Sequence, residues 1–162
     1  MKKKIEILAP AKNLTQGIAA INSGADAVYI GAPLYGARSN ATNSVEDIAE
    51  LVKYAHLYNA QVFVVINTIL YDNELEPCRQ LIWKLYDIGV DALIIQDMAI
   101  MEMELPPIVL HASTQTNNRD ADKIKFLADA GIKRVVLARE LNLSQIKEIH
   151  NASDVELEFF VT

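Results

Sequence analysis

A single cysteine, Cys78, among 162 residues removes several chemistries at once. It cannot form an internal disulfide, build a cysteine-rich zinc site or hold an iron–sulfur cluster by itself, and a chain without bridges fits a reducing cytoplasm. Positive charge is also scarce: 15 Lys and Arg against 21 Asp and Glu leave a formal net charge of -6. The only lysine run is Lys2 to Lys4, so the chain has no broad basic face of the kind that binds nucleic acid. No apolar stretch approaches the roughly 20 residues of a membrane span, and the N-terminal lysines precede no signal-peptide core or cleavage site. Neither GxGxxG nor GxxxxGK[ST] occurs, which removes the common phosphate-cradling turns, and GxSxG and HExxH are absent as well. The expectation is a soluble, cytoplasmic single domain over residues 1–162 with one core and no covalent staples.

What the sequence does have is a repeated unit. Seven short apolar runs recur: "IEILAP" (5 to 10), "AVYIGA" (27 to 32), "VFVVINT" (62 to 68), "ALIIQD" (92 to 97), "IVLHAS" (108 to 113), "RVVLAR" (134 to 139) and "ELEFFVT" (156 to 162). Their near-continuous hydrophobicity is that of strands covered on both faces, as in a parallel sheet wrapped by helices. Between them the period changes to about 3.6. Val45, Ile48, Leu51, Val52 and Ala55 share one helical face, and Leu75, Cys78, Leu81, Ile82 and Leu85 share another. Asn13, Ser44 (with Asp47 three residues on) and Asn142 read as helix starts, and Gly24, Gly89, Gly131 and Asn59 as left-handed stops. A short fourth helix is expected around Asp97 to Glu104, which gives seven strands and about six helices. With no dinucleotide turn after the first strand, the pattern predicts an α/β fold of the (β/α)8 barrel type, incomplete and truncated after strand 7. Residues 1–162 are then an N-terminal fragment of a longer chain, with open sheet edges through which copies could self-associate.

Ligands in such barrels gather at the carboxyl ends of the strands, and polar residues collect there from the third strand onward. Arg38 follows strand 2. Asn67 ends strand 3, Asp97 ends strand 4, His111, Ser113, Gln115 and Asn117 follow one another along strand 5, and Arg139 and Glu140 end strand 6. If strand 5 continues, its four polar residues alternate at spacing two and line one wall. Hydroxyls and primary amides suit an oxygen-rich ligand rather than nucleophilic attack. The guanidinium forks of Arg38 and Arg139 suit a carboxylate or phosphate. Several of these positions also have a plain structural reading: a turn and helix cap at Asn117 or Asn118, an ion pair for Arg139 beside Glu140, a cap for Asp97. No nucleophile stands out. Cys78 reads as core, and Ser113 with His111 is the one local Ser and His couple.

In order, "ILAPAKN", "GADAVYIGAPLYGAR", "VINT", "DALIIQD", "HASTQTNN" and "RVVLARELNLSQIKEI" resemble the N-terminal region of the collagenase-like peptidase family, across nearly all of residues 5 to 162. The family label is protease. The resemblance also implies bacterial relatives that hydroxylate a tRNA wobble uridine or a ribosomal cytidine, several with prephenate, and others that serve ubiquinone hydroxylation with an iron–sulfur cluster. For this chain it implies the barrel domain of an enzyme whose full-length form hydroxylates an RNA base with a carboxylate co-substrate such as prephenate. The alternative is a collagenase-type peptidase. No cofactor is expected in this fragment. An iron–sulfur cluster would belong to cysteines of the full-length protein, since the family continues beyond this point into a His-Gly-Ala-Leu-Cys stretch. RNA is a partner of the full-length protein only, and no membrane is involved. One departure is Lys12, which stands where relatives commonly carry the glycine that lets backbone approach a ligand.

Overall fold

The computed structural model describes residues 5–36 and 43–161. Seven parallel strands form one sheet in the order β1-β2-β3-β4-β5-β6-β7. They are β1 (Leu8–Ala11), β2 (Ala27–Gly31), β3 (Gln61–Ile66), β4 (Ala92–Ile95), β5 (Val109–Ala112), β6 (Arg134–Val136) and β7 (Glu156–Glu158). The α-helices described are α1 (Leu14–Asn22), α2 (Val45–Leu57), α3 (Asp72–Asp87), α4 (Ala121–Asp129) and α5 (Leu143–Ala152). Sequential strand order with intervening helices is the incomplete barrel that the sequence predicts.

Two expectations about local structure need correction. The expected fourth helix is a five-residue 3-10 turn, Met98–Glu102, because the proline pair at 106 and 107 leaves too little chain for a full helix. Strand 5 stops at Ala112, and a second 3-10 turn, Thr114–Thr116, replaces the extended continuation.

The starts and stops read from the sequence are in place. Asn13, Ser44 and Asn142 accept hydrogen bonds from backbone N–H groups of the first helical turns, and Ser44 and Asp47 form a reciprocal capping box. Gly24, Gly89 and Gly131 follow helices at φ of 96°, 87° and 112°, and Asn59 does so at 55°.

The strand registers sort the side chains into two faces. Residues such as Val28, Ile30, Val62, Val64, Leu93 and Ile95 pack under the helices with Ile48, Leu51, Ile82 and Leu85 in the main core. The opposite face holds a smaller cluster of Ala27, Phe63, Ala92 and Ile94, joined by Leu8, Tyr29 and Val65. This is the inner face of the curled sheet. Its curl is visible in one contact: Arg134 of β6 bonds Glu6, just ahead of β1, at 2.5 Å. Among the described residues no helix is long and apolar enough to cross a membrane.

Candidate functional site

The carboxyl ends of β5 and β6 carry a cleft of about 320 Å³ lined by Thr114, Gln115, Asn117, Arg119, Ala138, Arg139 and Glu140. Gln115 and Asn117 reach it from the 3-10 turn rather than from a continuing strand. Ser113 caps that turn, with Oγ accepting from Gln115 N at 3.2 Å. Asn117 adopts a left-handed conformation, φ 59° and ψ 58°, which turns the chain at the lip of the cleft. Arg139 lies over the ring of Phe160 with 4.1 Å between guanidinium carbon and ring centroid. Glu140 pairs with Arg119 at 3.2 Å across the cleft mouth. Both partners are more than half exposed, so the pair positions more than it stabilises.

Asn118, fully buried, holds this arrangement. Its Nδ2 donates to Ser113 O at 2.9 Å and to Val136 O at 2.8 Å, and its Oδ1 accepts from Thr116 Oγ1 at 2.7 Å. Its own carbonyl accepts from Ala138 N at 3.1 Å. Thr114 Oγ1 donates to Leu137 O, and Lys123 Nζ donates to Thr116 O. The turn is thereby tied to the tip of β6. From the sequence Asn118 reads only as a candidate helix cap. That role belongs to Asp120, whose side chain accepts from Lys123 N.

The remaining sequence candidates divide. Asn67 and Asp97 stand at the tips of β3 and β4, on the same end of the sheet but outside the cleft lining. Asp97 serves the backbone twice, accepting from Ala99 N and Leu70 N, each at 2.9 Å. Arg38 lies outside the described residues. His111 and Ser113 are 4% and 2% exposed. They do not form a catalytic couple: Ser113 Oγ caps the turn, and the His111 ring packs edge-on against Phe63, centroids 4.9 Å apart.

His111 belongs instead to a polar layer on the inner face, beneath the cleft. Register places it opposite Arg134, which in turn faces Glu156. Arg134 is 12% exposed and binds Glu6 at 2.5 Å and Glu156 at 2.8 Å, with Glu158 at 3.9 Å. Its guanidinium carbon lies 5.2 Å from the centroid of Phe63. Burial, with Arg134 nearby, pushes the His111 imidazole down to about 3, so it is neutral. Burial also pushes the Glu158 carboxyl up to about 7 against the pull of Arg134. His111 Nδ1 and Glu158 Oε2 are buried without a hydrogen-bond partner. The signal for this layer was in the sequence, since Arg134, Glu156 and Glu158 alternate on one face, but it requires the register to be seen.

The model of peptidase family U32 matches residues 12–162. The chain belongs to peptidase family U32. Among its relatives, the 23S rRNA 5-hydroxycytidine synthase of Escherichia coli (strain K12) is 58% identical over 158 residues, 98% of this chain and 24% of the relative. A tRNA hydroxylation protein of Bacillus subtilis (strain 168) is 37% identical, over 98% of this chain and 39% of its own length. An uncharacterized protease of Methanocaldococcus jannaschii is 40% identical, over 99% and 41%. The chain thus spans about a quarter to two fifths of these curated relatives. A solved U32 peptidase structure superposes with a TM-score of 0.79 at 14% identity, covering 98% of this chain and 70% of that one. At that identity the likeness speaks for the fold alone.

This U32 chain offers no activated nucleophile among its described residues. Cys78 is buried on α3, and burial, with Glu74 and Asp97 adding to it, pushes its thiol up to about 12. Nor, among the described residues, do three or more His, Cys, Asp or Glu side chains come together in a way that could hold a metal ion.

Proposed function

We propose that this chain is the barrel domain of a cytoplasmic RNA-modifying enzyme, whose full-length form hydroxylates a pyrimidine base of ribosomal or transfer RNA. The single observation that carries the reading is the 58% identity, across 98% of the chain, to an rRNA 5-hydroxycytidine synthase. The geometry is consistent with it: the rim presents amides and guanidinium groups, which bind and orient, rather than a nucleophile poised to attack. The peptidase alternative has the family name and one relative's label behind it. It would have to find its nucleophile outside the described residues.

In this reading a carboxylate co-substrate such as prephenate is recognised by Arg38 and Arg139, the latter centred over the Phe160 ring. An iron–sulfur cluster does not fit the described residues, because their one cysteine is sealed in the core. Any cluster of the full-length protein would take its ligands from elsewhere. RNA affinity likewise falls to other parts of the protein, given the acidic balance of this one. Self-association would use the edges of β1 and β7, where Ile7, Phe159 and Val161 are exposed.

The test is deletion of the gene followed by mass spectrometry of nucleosides from purified rRNA and tRNA. Loss of one hydroxylated pyrimidine, restored by the full-length gene, is expected. A nucleoside profile identical to wild type would refute the reading.

A further inference from the structure

Three features of the rim cleft make more sense together than apart. Its two cationic side chains each already have a contact within the chain. Arg119 is paired with Glu140 at 3.2 Å, and Arg139 is laid over Phe160 at 4.1 Å. Glu140 itself lines the cleft, so its carboxylate offsets part of the positive charge there. The side chains left without an intramolecular partner are the exposed primary amides of Gln115 and Asn117, each of which can donate and accept at once. A guanidinium centred over an aromatic ring can offer its outer side as a platform, and a planar heterocycle is the ligand class that stacks on such a group.

We propose that the cleft receives a single unstacked nucleobase, which lies on the outer face of Arg139, completes a three-layer stack with Phe160, and has its edge read by the Gln115 and Asn117 amides. This rests on the RNA-modification reading and assigns the base-recognition residues within it. The roughly 320 Å³ of the cleft leaves room for a base with part of its sugar. The amides need to be held still for an edge to be read, and the buried Asn118 does this by fixing the turn that carries them.

The test uses the full-length protein and two short single-stranded RNAs, identical except that one has a central cytidine and the other an abasic site at that position. Binding is followed by fluorescence anisotropy. Stacking of one base is worth roughly 1–3 kcal/mol, so wild type should prefer the cytidine RNA by about 5- to 150-fold. Arg139→Lys keeps the charge and loses the plane, and Phe160→Ala removes the support. Both should erase the preference while leaving affinity for the abasic RNA within about twofold. Gln115→Ala, on an exposed turn, should reduce it in part. Equal binding of the two RNAs by wild type, or a preference that survives Arg139→Lys and Phe160→Ala, overturns the proposal. The gene-deletion experiment decides the hydroxylase reading separately, so that reading can stand while the platform falls. If wild type binds neither RNA, the platform also falls.

Discussion

Replacing Asn118 by alanine tests whether one buried amide organises the cleft. The side chain makes three hydrogen bonds at 2.7 to 2.9 Å in a fully buried position. Ser113 O keeps Thr116 N as a donor after truncation, and the Thr116 hydroxyl, released from Asn118 Oδ1, can turn to it as well. Val136 O and the space beside it do not gain a replacement from the turn. Three bonds at about 1 kcal/mol net each, with a modest addition for a poorly satisfied buried carbonyl, give a loss of about 3 to 4 kcal/mol. For a chain of this length that is a fall in Tm of about 10 °C. Urea denaturation followed by circular dichroism measures the first quantity, and a thermal scan the second. N118D provides an isosteric check, since it aims a carboxylate at two carbonyl oxygens. Folding then favours the protonated acid, so that variant should be more stable at pH 5 than at pH 7, the opposite of an ordinary exposed Asp. A loss below about 1 kcal/mol for N118A, or no pH dependence specific to N118D, would refute the reasoning.

Three further outcomes follow from the inner polar layer and the core. Glu158 is pushed up from 4.5 to about 7, so the folded state holds its proton more tightly and this group's stability contribution falls as pH rises from about 4.5 to 7. His111 is pushed down from 6.5 to about 3, so its contribution is full above 6.5 and lost as pH falls below that. The two slopes oppose each other between pH 4.5 and 6.5: E158Q should steepen the gain in stability with pH in that window, and H111Q should reverse it, as read from urea midpoints. R134M leaves Glu6, Glu156 and Glu158 facing one another and should cost about 3 kcal/mol, the low end for a broken buried pair because two of its carboxylates are partly solvated. Adding E158Q to R134M should recover part of that loss in the same assay. Finally, Cys78 should resist alkylation by iodoacetamide in the folded protein and react fully in denaturant, since only the thiolate attacks and burial suppresses it.

The barrel was legible because its signals are local. Caps at Asn13, Ser44 and Asn142, left-handed stops at Gly24, Gly89 and Gly131, and apolar runs of strand length all act within a few residues, and all appear in the structure. The site was legible only in part. Gln115, Asn117, Arg139 and Glu140 do share a cleft, because the ends of neighbouring parallel strands meet whatever the details of the loops. The expected wall of alternating residues on strand 5 was wrong, because a serine side chain can cap a 3-10 turn and end the strand at Ala112. His111 was placed at the rim on sequence grounds and lies below it, opposite Arg134. The Arg134 network joins residues 128 apart in the chain, and no periodicity encodes such a pair.

The two halves of the inner face differ in kind. From β1 to β4 it is lined by Leu8, Ala27, Phe63, Ala92 and Ile94, and from β5 to β7 by a histidine, an arginine and glutamates. The first half can collapse by excluding water as soon as its strands meet, while the second must bring its ionic groups into register before drying them is tolerable. The early strands and their helices therefore have the chemistry of a folding nucleus. The ionic half, with its three-residue strands β6 and β7, has that of the part which assembles last and opens first.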